Sequence, residues 1–214
     1  MQSKVLSVVG LSDSVFVLRM ERNGLEFRAG QYVVLGFPGE RISREYSIYS
    51  SEHDPYIDLL IKEVDQGVVS RRLRQLMPGD LLELSGPFGF FILSDQVIHD
   101  RKPVVFVATG TGISPFRSFI LSYPDIEYTL LHGIRYRSEA YHMDDYDPAR
   151  YIACLSRDAG MGYKVRVTGY LSQNDIHADT FYYLCGNSAM IDEVIDMLEA
   201  GGVSPGQIKT EVFF

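Results

Sequence analysis

A small antiparallel β-barrel or sandwich, followed by an α/β domain on a parallel sheet, is the fold class this sequence predicts. Three observations predict it. The first part of the chain is a series of short runs rich in Val, Ile, Leu and Tyr, each ending at Gly, Pro, Asp or Asn. Between Ser94 and Lys102 the pattern changes, because "SDQVIHDRKP" is polar and closes on a proline, as a linker does. Beyond it strands alternate with helices, which implies right-handed crossovers and a parallel sheet. The expected domains are residues 1–97 and 98–214.

The runs of the first domain are "KVLSVVGL", "VFVLRM", "QYVVLGF", "REYSIYS", "YIDLLIKEV" and "DLLELSG". Strands at this spacing with short turns suit a barrel or a sandwich. In "REYSIYS", alternation sets Tyr46, Ile48 and Ser50 on one face and Ser47 and Tyr49 on the other. One helix interrupts the series. "SRRLRQLMPGD" begins after Ser70, has Leu73 and Leu76 one turn apart, and stops before Pro78-Gly79. Its Arg71, Arg72 and Arg74 read as a solvated face, which could also meet an acidic partner.

The second domain opens with the buried strand "VVFVA", a Gly-rich turn and the helix "SPFRSFILS". The strands "EYTLLHG", "YIACLS" and "FYYLCG" follow. Asn187 is a helix N-cap, and Met190, Val194 and Met197 or Leu198 fall at helical spacing until Gly201-Gly202 stop the helix. The tail "GQIKTEVFF" is too apolar to stay in water and is expected to dock as a last strand.

Composition removes several function classes. The chain has 214 residues, 46% hydrophobic and 22% charged, as in ordinary globular proteins. A formal charge of -8 disfavours nucleic-acid binding. Cys154 and Cys185 lie far apart in apolar runs, so no metal centre is expected and the thiols read as reduced. The N-terminus lacks a signal-type apolar core, and "PVVFVA" is far too short to span a bilayer, so a cytoplasmic protein without membrane insertion is expected. These patterns set no oligomeric state.

Two turns carry chemistry. Thr109-Gly110-Thr111-Gly112 follows a buried strand, and a helix starts near Ser114 with Pro115 in its first turn. Glycines permit close backbone approach and a helix start offers N–H groups, which suits a diphosphate; a plain tight turn is the alternative. It is not the GxGxxG fingerprint, because Pro115 stands at the third glycine position. Cys185-Gly186 ends another strand, where ligands bind in open α/β sheets. Cys185 is otherwise a small buried residue.

Taken in order, Arg44-Glu45-Tyr46-Ser47, Gly67-Val68-Val69-Ser70, Gly110 to Pro115, Cys185-Gly186 to Met190 and Glu211-Val212-Phe213 resemble the motifs of the ferredoxin–NADP reductase family. The resemblance covers nearly the whole chain. It implies a six-stranded antiparallel flavin-binding barrel before an NAD(P)-binding α/β domain. Arg44 would pair with the flavin phosphates, Tyr46 would stack on the isoalloxazine, Ser47 would sit near its N5, and Ile48 would join them. Gly67, Val68, Val69 and Ser70 would present a helix start to the pyrophosphate. Gly86 and Gly89 of "SGPFGFFIL" read as structural, and Phe88, Phe90 and Phe91 as core or domain-interface residues. Tyr49, Ser50 and Ser51 have no required role and read as strand end and turn.

The resemblance also places the nicotinamide cofactor. Thr109, Gly110, Thr111, Gly112 and Pro115 would hold its diphosphate, beside Cys185, Gly186 and Met190. Ser156 and Arg157 would grip a 2′-phosphate, with Arg166 as a second cation and Arg135 near the adenosine half. An acid at Ser156 or Arg157 would favour NAD(H) instead, and Asp158 follows directly. NADP(H) is therefore expected, with NAD(H) as the alternative. FAD rather than FMN follows from family frequency. Ser47, Cys185 and the Glu211 carboxylate would surround the hydride site, with Phe213 or Phe214 covering the flavin. The implied activity passes hydride between NADPH and FAD and single electrons to or from ferredoxin or flavodoxin. A reductase component of an oxygenase, a free-flavin reductase, disfavoured by Tyr46, and a non-catalytic flavoprotein module are the alternatives.

Overall fold

A computed structural model of the chain describes residues 1–157 and 165–213, so Asp158 and Phe214 lie outside the described residues. The strands are β1 (Gln2–Gly10), β2 (Val15–Glu21), β3 (Tyr32–Gly36), β4 (Ser43–Ser47), β5 (Tyr56–Lys62), β6 (Leu81–Phe88), β7 (Val104–Thr109), β8 (Tyr128–Ile134), β9 (Tyr151–Leu155), β10 (Phe181–Gly186) and β11 (Ile208–Val212). The helices are α1 (Val68–Arg74), α2 (Asp95–Ile98), α3 (Ser114–Ser122), α4 (Val167–Leu171) and α5 (Ser188–Ala200). Two compact units result. One is Met1–Ile92 with Ser114–Ser122, and the other is Leu93–Ile113 with the chain from Tyr123 onward.

In the first unit the strands form one antiparallel sheet in the order β4-β3-β6-β1-β2-β5. Its outer strands meet where the chain leaves β4. Ile48 bridges Leu59, and the Tyr49 N–H donates to Asp58 O at 2.8 Å. This contact closes a barrel and excludes the sandwich. Alternate residues face inward, so Phe16, Leu18 and Met20 of β2, Val33 and Leu35 of β3, and Ile57, Leu59 and Ile61 of β5 share one core. Helix α1 adds Val69 and Leu73 to it.

Four sequence expectations change here. Helix α1 starts before Ser70, with Gly67 as N-cap, and the Ser70 hydroxyl turns back to accept the Val64 N–H at 3.1 Å. Arg72 and Arg74 are not simply solvated. Arg72 meets the Glu40 carboxylate twice at 2.7 Å and lies over Phe37, while Arg74 donates to Ser12 O at 2.9 Å. Tyr49, Ser50 and Ser51 are buried and receive α3. Arg117 donates to Tyr49 O at 2.8 Å, Ser118 donates to Ser50 O at 2.7 Å, and the Ser51 and Ser122 hydroxyls meet at 3.2 Å. Buried hydroxyls need partners, and a helix distant in sequence supplies them. Finally, Phe91 is buried, but Phe88 is partly exposed against Tyr32 and Phe90 is 95% exposed.

The second unit is a parallel sheet in the order β11-β10-β7-β8-β9. The docked tail is β11. Helix α2, capped by Ser94, occupies the segment read as a linker. Helix α5, capped by the Asn187 side chain on the Ala189 N–H at 3.1 Å, buries Met190, Ile191, Val194 and Leu198 against the sheet. The chain runs outward from β7 to β9 and then returns to β10 on the other side of β7. The C-terminal ends of β7 and β10 therefore flank the switch point of the sheet, the place where such sheets bind ligands.

Candidate functional site

Two turns build the switch point. After Thr109, residues Gly110–Ile113 make a single 3-10 turn. Gly110 has φ +55°, and the space its missing side chain leaves holds no atom within 4 Å. Gly112 differs, because a Cβ there would collide with the backbone of Cys185 and Gly186. Gly186 is pressed in turn against Thr109, whose hydroxyl accepts the Asn187 N–H at 3.0 Å. Gly110 is thus open to a ligand, whereas Gly112 is required by packing of the turn on β10. Thr111, between them, is half-buried.

Behind the turn lies His132 of β8, wholly buried. Its Nε2 meets Gly110 O at 2.9 Å and its Nδ1 meets the Tyr151 hydroxyl at 2.7 Å. Burial lowers the His132 pKa to about 4, against the opposing pull of Gly110 O and Glu139, so the ring is neutral at pH 7. A carbonyl only accepts, so Nε2 carries the proton and Nδ1 accepts from Tyr151. Neither residue stood out in the sequence. The only signal was one polar side chain in the apolar run "LLHG".

At the C-terminal ends of β8 and β9 a cavity of about 420 Å³ is lined by Arg135, Leu155, Ser156, Arg157, Val165 and Arg166. Ser156, Arg157 and Arg166, expected at a 2′-phosphate, line it together with Arg135, expected near the adenosine half. Their backbone is fixed: Ser156 and Arg157 N–H groups donate to Ile134 O and Arg135 O, both at 3.0 Å. Glu139 accepts the Arg135 N–H at 2.6 Å and the Tyr136 N–H at 3.1 Å. Among the described residues none of the three guanidinium groups forms an ion pair. Guanidinium forks that line one cavity suit a phosphate dianion.

Cys185 and Glu211 are register partners on β10 and β11. Burial, and then the Glu211 carboxylate, hold the Cys185 thiol well above its ordinary range, so it is protonated at neutral pH. The Phe213 N–H continues the ladder to Gly186 O at 2.8 Å. Met190 and Pro115 do not offer their side chains to a ligand, because Met190 is buried between α5 and the sheet and Pro115 is buried in α3.

On the barrel, Arg44 is exposed and donates to its neighbour Ser43 O at 2.8 Å. Tyr46 is half-buried against the core. Burial pushes its phenol up to about 12, with Arg44 pulling the other way. Ser47, paired with Tyr32, is the last residue of β4 and is buried. Ile48 and Val69 are core residues, so neither side chain is available to a cofactor. Val68 is exposed, and Gly67 leaves room for Ser70 Oγ, which would lie 2.7 Å from an added Cβ. Among the described residues β4 pairs only with β3 over Ser43–Ser47, so its other edge is open.

Residues 5–92 match the model of an oxidoreductase FAD-binding domain and residues 106–196 that of an oxidoreductase NAD-binding domain. The chain is 30% identical over 229 residues to the toluate 1,2-dioxygenase electron transfer component of Pseudomonas putida, covering 99% of this chain and 67% of that protein. It is 35% identical over 143 residues to the flavodoxin/ferredoxin–NADP reductase of Escherichia coli, covering 64% of this chain and 57% of that one. The chain belongs to the ferredoxin–NADP reductase-like family. A cytochrome P450 reductase from Amycolatopsis superposes with a TM-score of 0.87 at 26% identity, covering 100% of this chain and 70% of that one. The chain spans about two thirds or less of the length of these curated relatives.

Its barrel is thus of the FAD-binding type of this family, and its α/β unit of the NAD(P)-binding type. The open edge of β4, with a cation and a flat ring beside it, fits a planar heterocycle that carries phosphates. Among the described residues no helix is long and apolar enough to cross a membrane, and no group of His, Cys, Asp and Glu is arranged to hold a metal ion.

Proposed function

We propose that the chain is an NADPH-dependent FAD oxidoreductase that exchanges single electrons with a small carrier protein, ferredoxin or flavodoxin. The observation that carries the reading is the cavity in which Arg135, Ser156, Arg157 and Arg166 converge. A nicotinamide dinucleotide with a 2′-phosphate makes use of that positive charge, which one without it does not need. When bound, FAD supplies the chemistry that accepts a hydride and releases electrons one at a time.

The residues of the chain bind and orient. The cationic cavity holds the 2′-phosphate, and the open turn at Gly110 takes the diphosphate. Arg44 offers a guanidinium fork to the flavin phosphates, and Tyr46 stacks on the ring system. Ser47, Cys185, Glu211 and Phe213 are the proposed hydride-site residues. As a neutral thiol, Cys185 acts by contact and weak hydrogen bonding rather than as a nucleophile.

A second reading, the reductase component of a multicomponent oxygenase, is favoured by the match to the toluate dioxygenase component along 99% of this chain. Purified protein should be yellow and should release one equivalent of FAD on denaturation. NADPH should then drive reduction of ferricyanide, and of ferredoxin or flavodoxin. Colourless protein that takes up no flavin contradicts the proposal. Faster reduction of an oxygenase component than of either carrier selects the second reading.

A further inference from the structure

We propose that His132 is a positioning residue for dinucleotide binding: by donating from Nε2 to Gly110 O, it fixes the turn that receives the diphosphate. The proposal rests on the nicotinamide-binding reading above.

The geometry gives it a mechanism. In a trans peptide the C=O and N–H edges point in opposite directions. With Gly110 O held 2.9 Å from Nε2 of the buried His132, the Gly110–Thr111 peptide is held in one orientation, and its N–H edge is turned away from the imidazole. Gly110 itself sits at φ +55°, with open space where a side chain would be. A glycine is the residue most free to rotate its neighbouring peptides, so an unanchored turn here would sample several orientations. The anchor is itself fixed. Tyr151 donates to Nδ1 at 2.7 Å, which selects the tautomer that can donate from Nε2. The chain of donors runs from Tyr151 on β9 through His132 on β8 to the turn after β7, so three neighbouring strands of the sheet hold one carbonyl. Such an arrangement lowers the ordering cost that a flexible loop would impose on binding.

The arginine cavity provides an internal control, because adenosine 2′-monophosphate carries the 2′-phosphate and adenosine but no 5′-phosphate or diphosphate. His132→Leu removes the donor. His132→Gln keeps an N–H of similar reach. By calorimetry, His132→Leu should weaken NADP⁺ about tenfold, the equivalent of one lost hydrogen bond, while adenosine 2′-monophosphate binds as in the wild type. His132→Gln should return NADP⁺ binding to within about threefold of wild type. In turnover the KM for NADPH should rise in the Leu variant while kcat changes less than about twofold. Unchanged NADP⁺ binding in His132→Leu overturns the proposal, and so does an equal loss for both ligands, which marks general damage. Should the Leu variant fail to fold, Tyr151→Phe decides instead: a selective loss of NADP⁺ supports the proposal, and no loss overturns it. Wild-type protein that binds neither ligand overturns the parent reading as well, and is distinguished by needing no variant.

Discussion

The Gly110 turn and the arginine cavity lie on the same parallel sheet and are built in opposite ways. At the turn a buried imidazole meets a main-chain group, the Gly110 carbonyl. In the cavity the groups are exposed guanidiniums with no ion pair among the described residues. The turn supplies shape that exists before the ligand arrives. The cavity supplies charge whose attraction depends on the solution. On the proposed reading, recognition of one dinucleotide is divided: the part shared by NADH and NADPH would meet the turn whose carbonyl His132 holds, and the part that distinguishes them would meet exposed cations.

The largest expected effect comes from the glycines that make the turn. Gly112→Ala drives a methyl into the Cys185–Gly186 backbone and should cost about 3 kcal/mol or more of stability, the upper end for overpacking. Gly110→Ala meets no atom and should cost only the left-handed backbone term, about 1 kcal/mol. Urea midpoints check this, and the reverse order would break the division between packing glycine and ligand glycine.

Next is Arg157→Ala. It should raise the KM for NADPH about 10- to 100-fold, as expected for a lost charged hydrogen bond, and leave NADH unchanged. An equal change for both cofactors would remove the cavity from the account.

A smaller effect concerns pH. The folded pKa of His132, about 4, lies below its ordinary value of 6.5. Between these values the unfolded chain binds a proton that the folded chain does not, so stability rises with pH across that window. The contribution is complete above pH 6.5 and is lost as the pH falls toward 4. Its slope is at most about 1.4 kcal/mol per pH unit. Unfolding measured against pH should show a flatter curve for His132→Gln than for wild type, and parallel curves would contradict a neutral buried imidazole. The smallest effect is that of salt. Raising ionic strength from about 0.01 to 0.15 M shortens the Debye length from about 30 to 8 Å and should raise the KM for NADPH several-fold more than that for NADH.

Much of the fold was legible in the sequence because its signals are local. Runs rich in Val, Ile, Leu and Tyr that end at turn residues mark the six barrel strands, the tail "GQIKTEVFF" marks β11, and Asn187 marks the start of α5. What escaped was non-local. Tyr49 to Ser51 looked like a plain turn because their partners Arg117, Ser118 and Ser122 lie 68 to 71 positions away. Arg72 looked solvated because Glu40 is 32 positions off. His132 looked like one polar residue in a strand because Gly110 and Tyr151 become its neighbours only across a parallel sheet. The four cavity residues were found by resemblance, and their convergence on one space belongs to the fold.

The most direct test of the central claim is the ratio of kcat/KM for NADPH to that for NADH, measured on flavin-loaded wild-type protein with ferricyanide at low ionic strength. Three converging arginines predict a ratio of about ten or more. A ratio at or below one would contradict the account.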